Sequence, residues 1–421
     1  MAPDARLVAS VVEEAHRRHW SAVLAATVRL TRDIDLAEDC TQDAFVSALR
    51  TWPAGLPDNP AAWLTTVARR AALDRLRRES TLRRKLPLLA VEALGTDDGR
   101  PDSAVDREPG ADEPADLLRL IFTCCHPALA QESRIALTLR LMCGLTTAEV
   151  AGCLLVKETA AAARITRAKK KIATAQIPFR IPRPDELRAR LGGVLTVVHL
   201  VYTAGHTASG PDLRRTDLTG RAIDLARMLA KLMPAEPETA GLLALLLLTE
   251  ARGASRVGRD GELVLLADQD RDRWDARLIA EGICLATDAL ERGEGRLTLQ
   301  AAIAGLHAIA PSWDTTDWHQ VARMYDALMT RSPSPVVALN RVAARSLVPG
   351  ADLVSLLDEL DLLALEPALR AYCYLPATRA DLLSRLGRAE EASRAYDEAL
   401  TLSTNEPERR FLMRRKAGLF G

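Results

Sequence analysis

Apolar residues recur at three- and four-residue steps along nearly the whole chain, a rhythm that admits helices packed on helices and little else. Val8, Val11, Val12 and Ala15, followed by Trp20, Val23, Leu24 and Val28, establish it at the start. Hydrophobic residues make up 48% of the 421 but aromatics only 4%, so the cores must be aliphatic, built from Leu, Ala, Val and Ile. That mixture suits helices better than a β-sandwich rich in Val, Thr and Tyr. The predicted fold class is all-α, in a chain long enough for roughly two to four domains.

Helix is expected over 8–30, from a cap at Asp33 or Asp35 to Arg50, and over 61–85, with a Pro/Gly/Asn loop at 53–60. A second helical unit covers 115–175. Gly144 breaks it, and Thr146 or Thr147 with Glu149 offers a capping box for the next helix. Prolines at 178, 182 and 184 precede a third helical region that runs to the end. Within it, Asp381 to Leu400 has the spacing of a tetratricopeptide helix pair. Its small residues Gly387, Ala392 and Ala399 are expected to allow close approach, and Val336 to Leu360 reads as a weaker copy.

Charge is balanced in total, 56 basic against 56 acidic residues, so its distribution carries the information. Residues 69–85 hold eight basic side chains against Asp74 and Glu79. Residues 92–116 hold nine acids, Asp116 among them, against Arg100 and Arg107. A basic helix followed by an acidic tract reads as a binding surface and then a solvated linker, here 86–114.

Two segments carry chemistry. In the first, Glu38, Asp39, Gln42 and Asp43 form a polar face, with Leu36, Cys40, Phe45 and Leu49 turned inward. Asn59 and Trp63 then open a helix bearing Arg69, Arg70, Arg75, Arg77 and Arg78, a stripe suited to phosphates. Trp63 can equally be core. In the second, Thr147–Leu155, a turn at Val156-Lys157 and Glu158–Ile172 make a helix-turn-helix whose second helix places Arg164, Arg167 and Lys171 on one face. Ala160 to Ala163 offer no hydrogen bond to a base. Readout therefore falls on Lys157, Thr159 and Arg164 or on DNA shape.

The order of these segments, with the phrase Ile121 to Leu129, resembles the extracytoplasmic-function (ECF) type of bacterial RNA polymerase sigma factor, in the branch with a fused tetratricopeptide-like extension. The resemblance implies a region-2-like domain at 8–85, a region-4-like domain at 115–175 and a helical regulatory extension at 178–421. It implies that Glu38, Asp39, Gln42, Asp43 and Phe45 bind core RNA polymerase. Asn59, Trp63, Arg69, Arg70, Arg77 and Arg78 would serve the −10 element, with Trp63 stacking on an unstacked base, worth about 1–3 kcal/mol. Lys157, Thr159, Arg164, Arg167 and Lys171 would serve the −35 element. Core polymerase and promoter DNA are the implied partners, with a small protein partner for the extension. A free-standing helix-turn-helix regulator with a sensing domain is the alternative.

Other constellations lead elsewhere or nowhere. Cys124-Cys125-His126 lacks a zinc-like ligand set and reads as buried thiols. The run Asp268 to Trp274 mimics the opening of a calcium loop, but Arg273 and Ile279 stand where such a loop needs glycine and glutamate; a capping ion-pair network is expected instead. His199, Tyr202 and His206 share a helical face and read as core or interface. There is no phosphate loop, nucleophile elbow or dinucleotide fingerprint, so no enzymatic activity, metal or cofactor is expected. The seven cysteines form no CxxC pair, Met1 to Arg6 show no apolar leader, and the longest apolar run, Leu242–Leu248, is too short to span a bilayer. A cytoplasmic setting without membrane contact is expected.

Overall fold

In a computed structural model describing residues 5–85, 113–154, 156–206, 216–256, 258, 264–403 and 406–420, every regular element is helical. The first helices, α1 (Ala5–Thr31), α2 (Ile34–Thr51) and α3 (Pro60–Lys85), pack against one another as a bundle. Side-chain oxygens set their starts by accepting amides that a helix leaves orphaned. Asp33 accepts from the Leu36 amide at 3.0 Å, and Asn59 from the Ala62 amide at 3.1 Å. Val23, Leu24, Ala37, Cys40, Ala44, Leu64 and Ala68 fill the core.

The buried stripe of α2 differs from the sequence reading in two places. It runs through Ile34, Ala37, Glu38, Thr41, Phe45 and Ala48, so Glu38 is inside. Leu49 stands one residue beyond that stripe, roughly 100° round the helix, and is 48% exposed.

A second bundle is formed by α4 (Glu113–Cys124), α5 (Gln131–Leu141), α6 (Thr147–Leu154) and α7 (Glu158–Thr174). Thr146 and Glu149 make the expected capping box: the Thr146 amide donates to Glu149 Oε2 at 2.7 Å and the Glu149 amide to Thr146 Oγ1 at 3.2 Å. Gly144 turns at φ +68°, where a side chain would be strained. Most of the acidic linker, 86–112, lies outside the described residues, but Asp116 is no solvated linker charge. It is 1% exposed, with Arg29 at 3.1 Å and Arg119 at 2.5 Å. Cys124 and Cys125 are buried thiols, and burial pushes Cys125 up to about 11.

Helix α8 (Pro184–His206) crosses from one compact unit, Met1–Val201, into a second, Tyr202–Gly421. Its first half belongs to the former, where Arg190 donates to the Phe122 carbonyl at 2.8 Å. In the second unit, Tyr202 and His206 are buried, and the Tyr202 hydroxyl donates to Glu250 at 3.0 Å.

That unit continues with α9 (Thr216–Leu232), α10 (Pro237–Ala251), α11 (Ala276–Arg292), α12 (Arg296–Ile309), α13 (Trp318–Arg331) and α14 (Pro335–Ser346). It ends with α15 (Leu353–Leu363), α16 (Tyr374–Arg385), α17 (Ala389–Leu402) and α18 (Glu406–Ala417). Helix α10 is apolar all round because α9, α11 and α12 surround it. Two glycines bring it close to its neighbours. A Cβ at Gly241 would sit 2.8 Å from the Thr298 amide nitrogen, and one at Gly282 would sit 2.7 Å from Leu248 Cγ. Glu238, on α10, caps α12 by accepting from the Leu297 and Thr298 amides at 2.8 and 3.0 Å.

The helix pair read at 381–400 is α16–α17, and Ala392 and Ala399 are fully buried in it. Gly387 does a different job from the one expected. Its φ is +74° with open space around the missing Cβ, so it makes the turn and is not a point of close approach. The run 268–274 also departs from expectation. Asp270 caps a short turn by accepting from the Asp272 amide, yet among the described residues the run forms no ion pair. Arg271 instead donates to the His307 and Ala310 carbonyls, both at 2.6 Å, and lies over the Trp274 ring at 4.5 Å.

Candidate nucleic-acid interface

On α2 the acids divide by position. Asp39, Gln42 and Asp43 are exposed, and Arg75 of α3 reaches across to Asp43 at 2.6 Å and to Asp39 at 3.3 Å. Exposed pairs of this kind contribute roughly 0–1 kcal/mol each, so the face stays open to exchange. Phe45 is buried against His16 and Trp20, with ring centroids at 5.0 and 6.0 Å, and holds the helix in place from beneath.

Asn59 is exposed and spends its side chain on the α3 cap. Trp63, four residues on, is half-buried and meets the fully buried Trp52 edge to face at 5.6 Å. It therefore combines an anchored ring with some open surface. Arg70, Arg77 and Arg78 are exposed along α3, and Arg69 is half-buried.

The second helix of the helix-turn-helix, α7, buries Ala161, Ile165, Ala168 and Ile172. This stripe turns Lys157, Thr159, Arg167 and Lys171 outward, while Arg164 is half-buried. Of the four alanines, Ala161 is fully buried and Ala162 exposed. Arg167 and Lys171, joined by Lys170, line an open groove of about 440 Å³ with Ser133 and Thr174. Lys170 had escaped the sequence reading. The signal was there in the helical period, which separates the three consecutive lysines once the buried stripe is known.

Lys169 points the opposite way, to the first bundle. Its ammonium lies 2.6 Å from Asp35 and 2.8 Å from Glu38, and Arg140 of α5 donates to Glu38 Oε1 at 2.6 Å. Burial alone pulls the Lys169 ammonium down, but the two carboxylates outweigh it and hold it above the usual lysine range. Gly144 completes the contact from the same side: a Cβ there would lie 3.0 Å from both the His16 and Trp20 rings of α1. Glu38 is thus the buried charge at the centre of a seam between the two bundles, and Asp35, Arg140, Lys169 and Gly144 are residues of that seam the sequence did not single out for it.

Among the described residues, no group of three or more His, Cys, Asp or Glu side chains is placed to hold a metal ion, and no helix is long and apolar enough to cross a membrane.

Residues 15–81 match sigma-70 region 2, residues 119–172 match sigma-70 region 4, and residues 190–290 match a family of unknown function, DUF6596. The chain is 42% identical over 395 residues to the uncharacterised protein R00370 of Rhizobium meliloti (strain 1021), covering 92% of this chain and 91% of that one. It is 29% identical over 168 residues to the probable ECF RNA polymerase sigma factor SigI of Mycobacterium tuberculosis (strain ATCC 25618 / H37Rv), covering 39% of this chain and 56% of the relative. No solved structure gives a significant match.

Proposed function

The chain belongs to the ECF-type RNA polymerase sigma factors that carry a fused C-terminal helical extension, and from that membership we propose that it binds core RNA polymerase and directs it to promoters. The exposed Asp39, Gln42 and Asp43 of α2 dock on the polymerase, while Glu38 and Phe45 lie buried beneath that face. Trp63 and the arginines of α3 hold the opened −10 element, and α7 reads the −35 element. The observation that supports this division most directly is the separation of charge: an exposed acidic face on the region-2 bundle, and an exposed basic groove beside α7 on the region-4 bundle. In this reading the protein is a specificity subunit with no catalysis of its own. The second compact unit regulates it and offers its helix pairs to a small protein partner.

Run-off transcription with core polymerase on a genomic promoter pool tests the proposal. New transcripts sharing an upstream motif are expected, and their absence, together with no association with core polymerase, would sink it. Charge reversal, Asp39→Lys with Asp43→Lys, is expected to weaken polymerase association at least tenfold, about 1.4 kcal/mol, while DNA binding is retained. The opposite pair, Arg167→Ala with Lys171→Ala, is expected to weaken promoter binding and flatten its log–log salt slope by about 2. Comparing the full chain with one lacking the second unit gives the sign of regulation.

A further inference from the structure

The three most exposed large apolar side chains among the described residues are Leu365, Leu362 and Phe420, at 71, 68 and 67%. All three lie on, or just past, two helices near the end of the extension that share one core: Leu356, Leu357 and Leu360 of α15 and Leu412 of α18 are buried in the same cluster. What the two helices turn outward is opposite in sign.

Helix α15 contains no basic residue. Its buried stripe leaves Val354, Asp358, Asp361 and Leu362 outward, and Leu365 continues that line in the turn that follows. At about 100° per residue these five side chains fall within one sector of the helix. Asp361 also holds Arg379 of α16 at 2.6 Å, yet stays largely exposed. Helix α18 is the converse. It exposes Arg410, Met413, Arg414 and Ala417, with Phe420 just beyond its end, while Arg415 and Lys416 are engaged by Asp381 and Asp397. The last helix of a stacked array offers the surface on which another helix would pack, and a soluble array keeps that surface polar. Here it is partly apolar, and an apolar, acidic stripe stands in the same unit.

Both faces point away from the core they share, so within one chain they do not meet. We propose that they meet between two copies of this chain, α15 of one packing on α18 of the other. Laid antiparallel at about 1.5 Å per residue, Met413 meets Leu362, Arg414 comes between Asp358 and Asp361, and Phe420 reaches Val354. A two-fold axis repeats the contact, so the homodimer uses both faces of both copies and leaves neither over. The apolar side chains supply the attraction, and the charges set the register. The inference does not rest on polymerase binding.

Sedimentation velocity of the full chain across a wide concentration range tests it. A passage from monomer to dimer mass is expected, with weaker association at high salt. Leu362→Gln with Leu365→Gln alters two exposed side chains and is expected to raise the dissociation constant about tenfold or more. Asp358→Arg and Arg414→Glu each set like charges opposite one another, and each alone is expected to stay monomeric. Mixed in equal amounts, the two restore opposite charges on both sides of the axis and are expected to dimerise. Circular dichroism melts establish that each variant is folded, and the leucine pair decides the matter if Arg414→Glu is not. A monomer at every concentration, an association that survives the leucine substitutions, or a mixture of two folded variants that stays monomeric would overturn the proposal. So would growth beyond the dimer, the mark of a head-to-tail contact that does not close.

Discussion

Replacing Glu38 by alanine is expected to cost about 3 kcal/mol of stability in the first compact unit, the range found when one partner of a buried ion pair is removed. The magnitude follows from position. Glu38 is 4% exposed and holds Arg140 and Lys169 together from two helices of the second bundle. Without the carboxylate those two cations face each other, with Asp35 and the Leu145 carbonyl as their remaining partners. Hydrogen exchange of α1 and α2 against α5 and α7 reads the loss directly, and faster exchange on both sides of the seam is the expected result. Arg17→Ala, which removes an exposed pair with Glu14, is the control, with a change within about 0.5 kcal/mol. Unchanged exchange in Glu38→Ala would mean that the seam does not depend on its buried charge.

The same seam carries a pH dependence. Lys169 is held above its ordinary value in the folded protein. Its contribution is therefore fully present below the unfolded lysine pKa and is lost as pH rises through the higher folded value. Stability of the first unit is expected to fall in that alkaline window in the wild type, and to fall less there in Lys169→Met.

The second large effect lies in the extension. Gly241→Val is expected to destabilise it by about 3 kcal/mol, because the new Cβ meets the Thr298 amide nitrogen and Cα at 2.8 and 2.9 Å. Backbone cannot rotate away as a side chain can, so α10 and α12 must separate, and the Glu238 cap on α12 goes with them. Gly220→Ala, in α9, is the informative partner. Nothing lies within 4 Å of its missing Cβ, and alanine in an open helical position is expected to gain about 0.5–1 kcal/mol. Urea unfolding of the two variants should move in opposite directions. A neutral Gly241→Val would show that the two helices are not in close register.

What was legible in the sequence was local. The caps at Asp33 and at Thr146 with Glu149 are settled within three or four residues, so chain order alone exposes them. The helix-turn-helix has the same character, since its turn and its two buried stripes lie within thirty residues. Glu38 was not legible as a buried charge. It sits beside Asp39 with the same chemistry, and its partners are 102 and 131 residues away. Lys169 and Lys171 are chemically identical, and only the bundle on which Lys169 lands separates their roles. Gly241 and Gly282 carried no signal in the sequence, because their meaning rests on which neighbour comes close. Arg271 was read through its acidic sequence neighbours, whereas its partners are carbonyls 36 and 39 residues on.

The clasp of Arg75 on Asp39 and Asp43 changes what arrival of a basic partner at α2 means. The incoming cation meets acids already engaged, so binding there is a swap of one guanidinium for another group. Its net strength is the difference between two similar contacts, and its ionic-strength dependence is shallower than a count of bare acids suggests. The displaced Arg75 is left on α3, beside the arginine stripe. Occupying the acidic face therefore releases a cation toward any phosphate lying along that helix, which couples the two faces without any change of fold.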